Sequence, residues 1–405
     1  MIKRIFYGWW IVLACFFINL YVGGIIFFGF TAFFEPLIKE FGWSYTQISF
    51  AASLRGLEMG IFAPMIGFLV DRFGSRKMIL SGTIIVGFGL LLLSVTRSLV
   101  TFYCSFLLLA LGAGGCTSVV TMTAIAIWFN KNIGRALGVV TCGFGASGLM
   151  VPLIVWLIDT YHWRTTLIVL GLGMWILGIP LSFIVRDKPE QYGYLPDGEL
   201  LQDPKPHQIV RDKETEIGVR EAIRQKPFLY LMLVDVIRLI INTAVIIHLM
   251  PYFNSAGLPR FIGGTVAAAI PLFSILGRFG FGWFGDLYDK KRMMTIVLLL
   301  MGGGMVAFCC VQQIWAIIIF IFLFSSGMGG CLVLIRAIMR EHFGRQSFGK
   351  ILGIIMGFAS FGGIIGPTFA GWVFDTMRSY HMAWFVFLGL IIIAIILMSR
   401  IKLKD

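Results

Sequence analysis

Long apolar runs alternate with short polar breaks from Gly8 to the end of the chain. A helix needs about 20 apolar residues to cross the hydrocarbon core. Twelve runs reach that length, at roughly 8–30, 45–70, 77–95, 98–128, 134–158, 164–185, 227–250, 261–286, 293–311, 313–340, 350–375 and 381–399. A membrane barrel would instead show alternating stretches of about ten residues. The pattern predicts an all-α polytopic membrane protein with twelve transmembrane helices.

The longest polar stretch, Arg186 to Lys226, divides these runs six to six. It predicts two six-helix bundles, 1–186 and 227–405, joined by a cytoplasmic linker over 187–226. A short surface helix is expected there over 214–225. The two halves repeat one plan. GFLVDRFGSRKMIL starts at Gly67 and GWFGDLYDKKRMMT at Gly282, an offset of 215 residues. The same offset relates GRALG at Gly134 to GKILG at Gly349, and Pro152 to Pro367; Asp159-Thr160 and Asp375-Thr376 stand 216 apart. Internal repeats of this kind point to a pseudo-symmetric transporter with its site between the repeats.

Composition agrees. Hydrophobic residues make up 58% and charged residues 13%, with a mean hydropathy of +0.90, against about 25% charged in soluble domains. The net charge of +13 would suit nucleic acid, but its distribution gives another meaning. With the N-terminus in the cytoplasm, 24 of the 33 Lys and Arg fall on the cytoplasmic side. Five, Lys39, Arg97, Arg164, Arg260 and Arg378, fall outside. That asymmetry predicts an integral plasma-membrane (cytoplasmic-membrane) protein with both termini cytoplasmic. The basic excess is a topology signal with anionic lipid as its neighbour, and nucleic acid is not a partner. The first run lacks a small-residue cleavage site and reads as a retained helix.

Enzyme chemistry finds no foothold. The seven cysteines lie in apolar segments and form no CxxC. GFGASG (Gly143 to Gly148) matches a dinucleotide fingerprint but follows no strand, so it reads as a close-packing face, as does GGIIG (Gly362 to Gly366). These glycine faces of spans five and eleven are expected against spans eight and two. There is no HExxH, metal-spaced cluster, nucleophile–base pair or phosphate loop, so no cofactor, metal or catalytic residue is expected.

The informative residues are the charges inside the spans. Arg278 sits in IPLFSILGRFGFGWFGD, eight residues before Asp286, or about 12 Å along a helix. It is too deep for easy snorkelling, and no acid lies within one turn. It reads either as a carboxylate-binding fork or as one half of an interhelical ion pair. Arg55 and Glu58 in span two, and Asp235 and Arg238 in span seven, are spaced i,i+3. They neutralise themselves locally or pair between spans as a coupling switch. Arg336 in span ten either reaches the cytoplasmic interface or meets substrate. Tyr21 is the candidate cavity hydroxyl. Asp71 and Asp286 each close a long span and are placed to cap the helices of spans eleven and five. Four in-span arginines against two acids leave the interior positive, which favours an anion.

The repeated glycine–Asp–basic loop and the six-plus-six plan resemble the major facilitator superfamily over nearly the whole chain. YGWW (Tyr7 to Trp10), WFNKNIGRALG and Arg278 resemble its monocarboxylate transporter and oxalate–formate antiporter branch. That resemblance implies a secondary active transporter working by alternating access. It would move a small organic anion, foremost a monocarboxylate, with proton symport or exchange for a counter-anion. It implies substrate contact by Arg278; the in-span residues Tyr21, Arg238 and Arg336 are read as joining it, the loop residues Asp71, Arg72, Arg76, Asp286 and Lys290 as a cytoplasmic gate, and the protein as a monomer. Ser274 stands where animal members carry an aspartate one turn before the arginine, so proton coupling through that position does not transfer. Two rivals remain: an exporter of a neutral or cationic compound with structural charges, and a transporter-like sensor that moves nothing.

Overall fold

The computed structural model describes residues 6–43, 47–48, 62–198 and 218–401. Among them eleven helices are long and apolar enough to cross a membrane, and no β-strand occurs. In chain order they are span one, Gly8–Phe28; three, Ser75–Ser94; four, Leu99–Trp128; five, Ile133–Tyr161; and six, Trp163–Ile184. Spans seven to twelve are the helices Lys226–Ser255, Arg260–Leu287, Lys290–Cys309, Ile314–Phe343, Phe348–Met377 and His381–Arg400. Span two is described over Ala63–Phe73. Arg55 and Glu58 lie outside the described residues.

Two compact units account for the described residues. One takes in those of Met1–Lys131, Val139–Glu216 and Arg345–Ile354; the other those of Asn132–Gly138, Ile217–Gly344 and Ile355–Asp405. The division differs from a simple split at the linker. The start of span five packs with the second unit, and the start of span eleven with the first.

Glycine sets where backbones approach. Span one tightens into a π-helical turn, Gly23–Phe28, and then a 3-10 segment, Gly29–Phe33. Gly23 faces Ser147 there and Gly24 faces Met150. Those residues form a 3-10 segment of their own within span five, Ser147–Met150. Interrupted ladders facing each other are a common feature of sites and hinges. Span four also breaks, at Thr117 (φ −123°, ψ −160°) before Ser118 (φ 30°).

The glycine faces divide their work, which corrects the sequence expectation. Gly143 of GFGASG lies against the carbonyl of Phe16 in span one; Gly362 and Gly366 of GGIIG lie against Val236 and Ile240 in span seven. The glycines at the start of each helix meet spans eight and two: Gly134 and Gly138 face Gly282 and Arg278, and Gly349 and Gly353 face Gly67 and Ala63. A long helix crossing several neighbours presents different turns to each, so one face serves two partners.

The first third of the polar stretch is also ordered. Residues 186–198 fold over the loops of the first unit as two 3-10 turns, Pro189–Tyr192 and Pro196–Gly198. The expected surface helix is present as Val219–Arg224; residues 199–217 lie outside the described set.

Candidate functional site

Among the described residues every buried charged side chain lies on spans seven, eight and ten. They are Asp235, Arg238, Arg278, Arg336 and Arg340, with the Asp286 side chain, 2% exposed, at the end of span eight. All belong to the second unit.

Asp235 is the hub. One turn later Arg238 donates from Nε to its Oδ1 at 2.7 Å. From span ten, Arg336 lays its fork on the same carboxylate, Nη1 to Oδ1 at 3.1 Å and Nη2 to Oδ2 at 3.3 Å. Asp235 is wholly buried and the arginine side chains are 8% and 2% exposed. A charge this deep is tolerated only with such partners. The local i,i+3 pairing read from the sequence is present, with a second arginine added. Arg336 does not extend to the cytoplasmic interface; it turns inward because a buried carboxylate stands within reach. Its Nε is buried with no acceptor among the described residues. Cys331 is buried beside the three charges.

The first unit carries a neutral counterpart. Asn19, 216 residues before Asp235, donates from Nδ2 to Thr121 Oγ1 at 3.4 Å and to the Val140 carbonyl at 3.2 Å. Thr121 stands 215 residues before Arg336. The repeat brings the same two helices together in each half, with a polar bridge in one and an ionic bridge in the other.

Arg278 is 9% exposed on span eight. Its backbone N–H lies beside Gly329 of span ten, and its carbonyl beneath Gly138. One turn earlier, Ser274 is buried and donates its hydroxyl to the Pro271 carbonyl at 2.6 Å. The repeat-related residue is Ala63, so the shared fold does not require an arginine here. Tyr21 gives its hydroxyl hydrogen to the Leu170 carbonyl at 2.9 Å, a bond between spans one and six instead of a donor left for a cavity.

Arg340, the last residue of the run 313–340, is not among the in-span charges singled out from the sequence, yet it is 3% exposed. Its spacing of four from Arg336 was the available signal, since i,i+4 residues share a helix face.

The loop acids form two repeat-related caps. Asp71 Oδ2 accepts the Lys350 N–H at 3.0 Å. Asp286 accepts the N–H groups of Gly134 at 2.6 Å and Arg135 at 2.7 Å. Each is a carboxylate at the positive end of a helix dipole. Each is backed by a cation over a ring: Lys350 over Phe68 at 5.2 Å and Arg135 over Trp283 at 5.1 Å. A Cβ on Gly67 would strike the carbonyl of Gly349, and one on Gly282 that of Gly134. Glycine is what permits these crossings. Of the other gate candidates, Lys290 pairs with Glu341 at 2.8 Å. Arg72 and Arg76 lie over Phe73 and Phe183 at 5.5 and 5.0 Å.

No group of three or more His, Cys, Asp or Glu able to hold a metal occurs among the described residues. The arrangement holds guanidinium charge in a low-dielectric interior, and a guanidinium fork matches the geometry of a carboxylate.

Comparison with known proteins places the fold. The chain is 24% identical to monocarboxylate transporter 13 of Rattus norvegicus, over 96% of this chain and 87% of that protein. It is 24% identical to the uncharacterized MFS-type transporter YcxA of Bacillus subtilis (strain 168), over 89% and 88%. Its fold matches the E. coli fucose:proton symporter FucP with a TM-score of 0.73 at 13% identity, covering 98% of this chain and 99% of that one. The Major Facilitator Superfamily model matches residues 9–281 and 242–404. With that match, eleven described spans and the repeated capping loop, the chain belongs to the major facilitator superfamily.

Proposed function

We propose that this membrane transporter is a secondary active carrier of a small organic anion, with monocarboxylates the foremost class. Two six-helix bundles, 1–186 and 227–405, alternate access to it. The plasma membrane is its place, with both termini cytoplasmic, and it works as a monomer. Protons or a counter-anion supply the coupling.

One observation carries the reading: Arg278 is a buried guanidinium on span eight, in the same unit as the buried Asp235–Arg238–Arg336 cluster of spans seven and ten. A buried guanidinium offers a planar fork that matches a carboxylate. The relatives named monocarboxylate transporters support the choice of anion. Arg278 is the substrate's carboxylate partner in this reading. Asp235, Arg238 and Arg336 form the ionic element that responds to the arriving charge. Asp71 and Asp286, with Arg72, Arg76 and Lys290, form the cytoplasmic gate.

The test is counterflow in proteoliposomes with labelled acetate, lactate, pyruvate and oxalate, alongside glucose and tetraphenylphosphonium. Carboxylate counterflow lost on Arg278→Ala supports the reading. Movement of the sugar or the cation that survives that substitution identifies an exporter with structural charges. No counterflow of any compound, with binding retained, identifies a sensor.

A further inference from the structure

His248 lies half-buried within span seven, toward the end away from the capping loops. Its Nε2 stands 2.9 Å from the Pro367 carbonyl in the interior of span eleven. Its Nδ1 stands 3.2 Å from the hydroxyl of Tyr380, in the turn before span twelve. All three residues belong to the second unit. A carbonyl oxygen only accepts, so Nε2 carries a hydrogen and donates it. That leaves Nδ1 as the atom that gains or loses a proton. A tyrosine hydroxyl both donates and accepts. With the ring neutral, Tyr380 donates to Nδ1; with a proton on Nδ1, the hydroxyl turns and accepts from it. Both states keep two hydrogen bonds, and neither strands a polar atom of the ring. Tyr380 is 3% exposed and stacks on Phe374 and Trp384, so its oxygen stays in place whichever way the hydrogen points.

The shared fold does not ask for this pair. At an offset of 216, the repeat mates of His248, Asp375 and Tyr380 are Ala32, Asp159 and Arg164. Those three line a cavity of about 900 Å³ in the first unit, where Arg164 turns to Glu40 at 2.7 Å. In the second unit the same positions bring an imidazole to a phenol. Histidine is the side chain whose ordinary charge change falls between about pH 5 and 8. The other ionisable groups in the described spans suit proton exchange less well. Asp235 is held by two guanidiniums, and arginine, tyrosine and cysteine ordinarily exchange protons well above neutral pH. His162, His342 and His381 stand at helix ends or between helices.

The charged and titratable groups around the His248 ring are few. Span eleven brings Asp375, close enough to act electrostatically on Tyr380. The start of span twelve brings His381, whose ring stands 6.2 Å from that of Tyr252. Span seven itself brings Tyr252, which donates to the Phe308 carbonyl at 2.9 Å and lies near Cys309 and Cys310 of span nine. Residues 262–277 of span eight, 314–330 of span ten and 382–399 of span twelve carry no ionisable side chain except Cys-free apolar and small polar groups.

We propose that Nδ1 of His248 takes up the proton that drives the carrier, with Tyr380 as the partner that serves both protonation states. The charge gained by the ring balances that of an entering carboxylate, so the two cross without net charge. Span eight offers no acid for this task beside Arg278: the buried residue one turn earlier is Ser274. The inference rests on the transport reading above and selects protons over a counter-anion as the coupling species.

Initial rates are measured in proteoliposomes with labelled acetate, lactate, pyruvate and oxalate, above the rate in protein-free vesicles. Each is followed first as counterflow at equal pH, then as entry with the outside more acid than the inside. In the parent, acid outside is expected to accelerate entry. His248→Gln, whose amide can still donate to the Pro367 carbonyl, is expected to keep counterflow and lose the acceleration. Tyr380→Phe removes the oxygen that accepts from the charged ring. A hydrogen bond to a charged group is about twice as strong as a neutral one, so half-maximal acceleration should shift to a more acid outside pH, and this variant decides the matter should His248→Gln fold poorly. His381→Gln should leave both rates as they are. Acceleration that survives His248→Gln, or that does not shift in Tyr380→Phe, overturns the proposal. Counterflow without acid acceleration in the parent also overturns it and leaves the transport reading standing, whereas absence of counterflow for every carboxylate in the parent overturns the transport reading itself.

Discussion

Arg336 lays both terminal nitrogens on the carboxylate of Asp235, at 3.1 and 3.3 Å, across 101 residues of sequence. Arg238 shares that carboxylate at 2.7 Å. Removing the acid strands two buried guanidiniums, whereas removing one arginine leaves an intact pair. Asp235→Ala is therefore expected to destabilise the protein by about 3–5 kcal/mol and by more than Arg336→Ala. Asp235→Asn combined with Arg336→Gln should recover part of the loss, since the two effects are coupled. Thermal unfolding of purified protein checks the order; additive effects would mean the pair is not coupled.

Arg278 has an alanine as its repeat mate, so its charge serves something the shared fold does not need. Arg278→Lys keeps the charge and loses the planar fork, and should raise the apparent KM for a carboxylate while the protein still folds. Arg278→Ala should cost about 2–5 kcal/mol of carboxylate binding. Calorimetry on monodisperse protein measures both. Near-native affinity in the alanine variant would make Arg278 structural and remove the main ground for an anionic substrate.

The glycine crossings give a sharp contrast. Gly67→Ala and Gly282→Ala each put a methyl group against a backbone carbonyl, a change of the kind that costs about 1–3 kcal/mol. Gly280, on the same helix as Gly282, faces open space. Gly280→Ala should stay within about 0.5 kcal/mol of the parent. Melting temperatures of the three variants decide it, and equal shifts would refute the assigned crossings.

The sequence by itself determined the features that depend on distance along the chain. Apolar run length set the spans, because a bilayer core of fixed thickness measures a helix directly. The 215-residue offset set the two caps, because a repeated chain meets itself in repeated ways: Asp71 and Asp286 stand at spans eleven and five, where the spacing put them. The i,i+3 pair of Asp235 and Arg238 was legible because one helix face fixes it. Only tertiary structure decided which charges from separate helices share a site. Nothing in the spacing of Arg336 says whether it turns toward the interface or toward Asp235; helix rotation and depth make that choice. The same holds for residues 186–198. Their polar, proline-bearing composition reads as a linker, but the carboxylates of Asp187 and Asp197 bind backbone N–H groups of distant loops, and a backbone donor leaves no mark in the sequence.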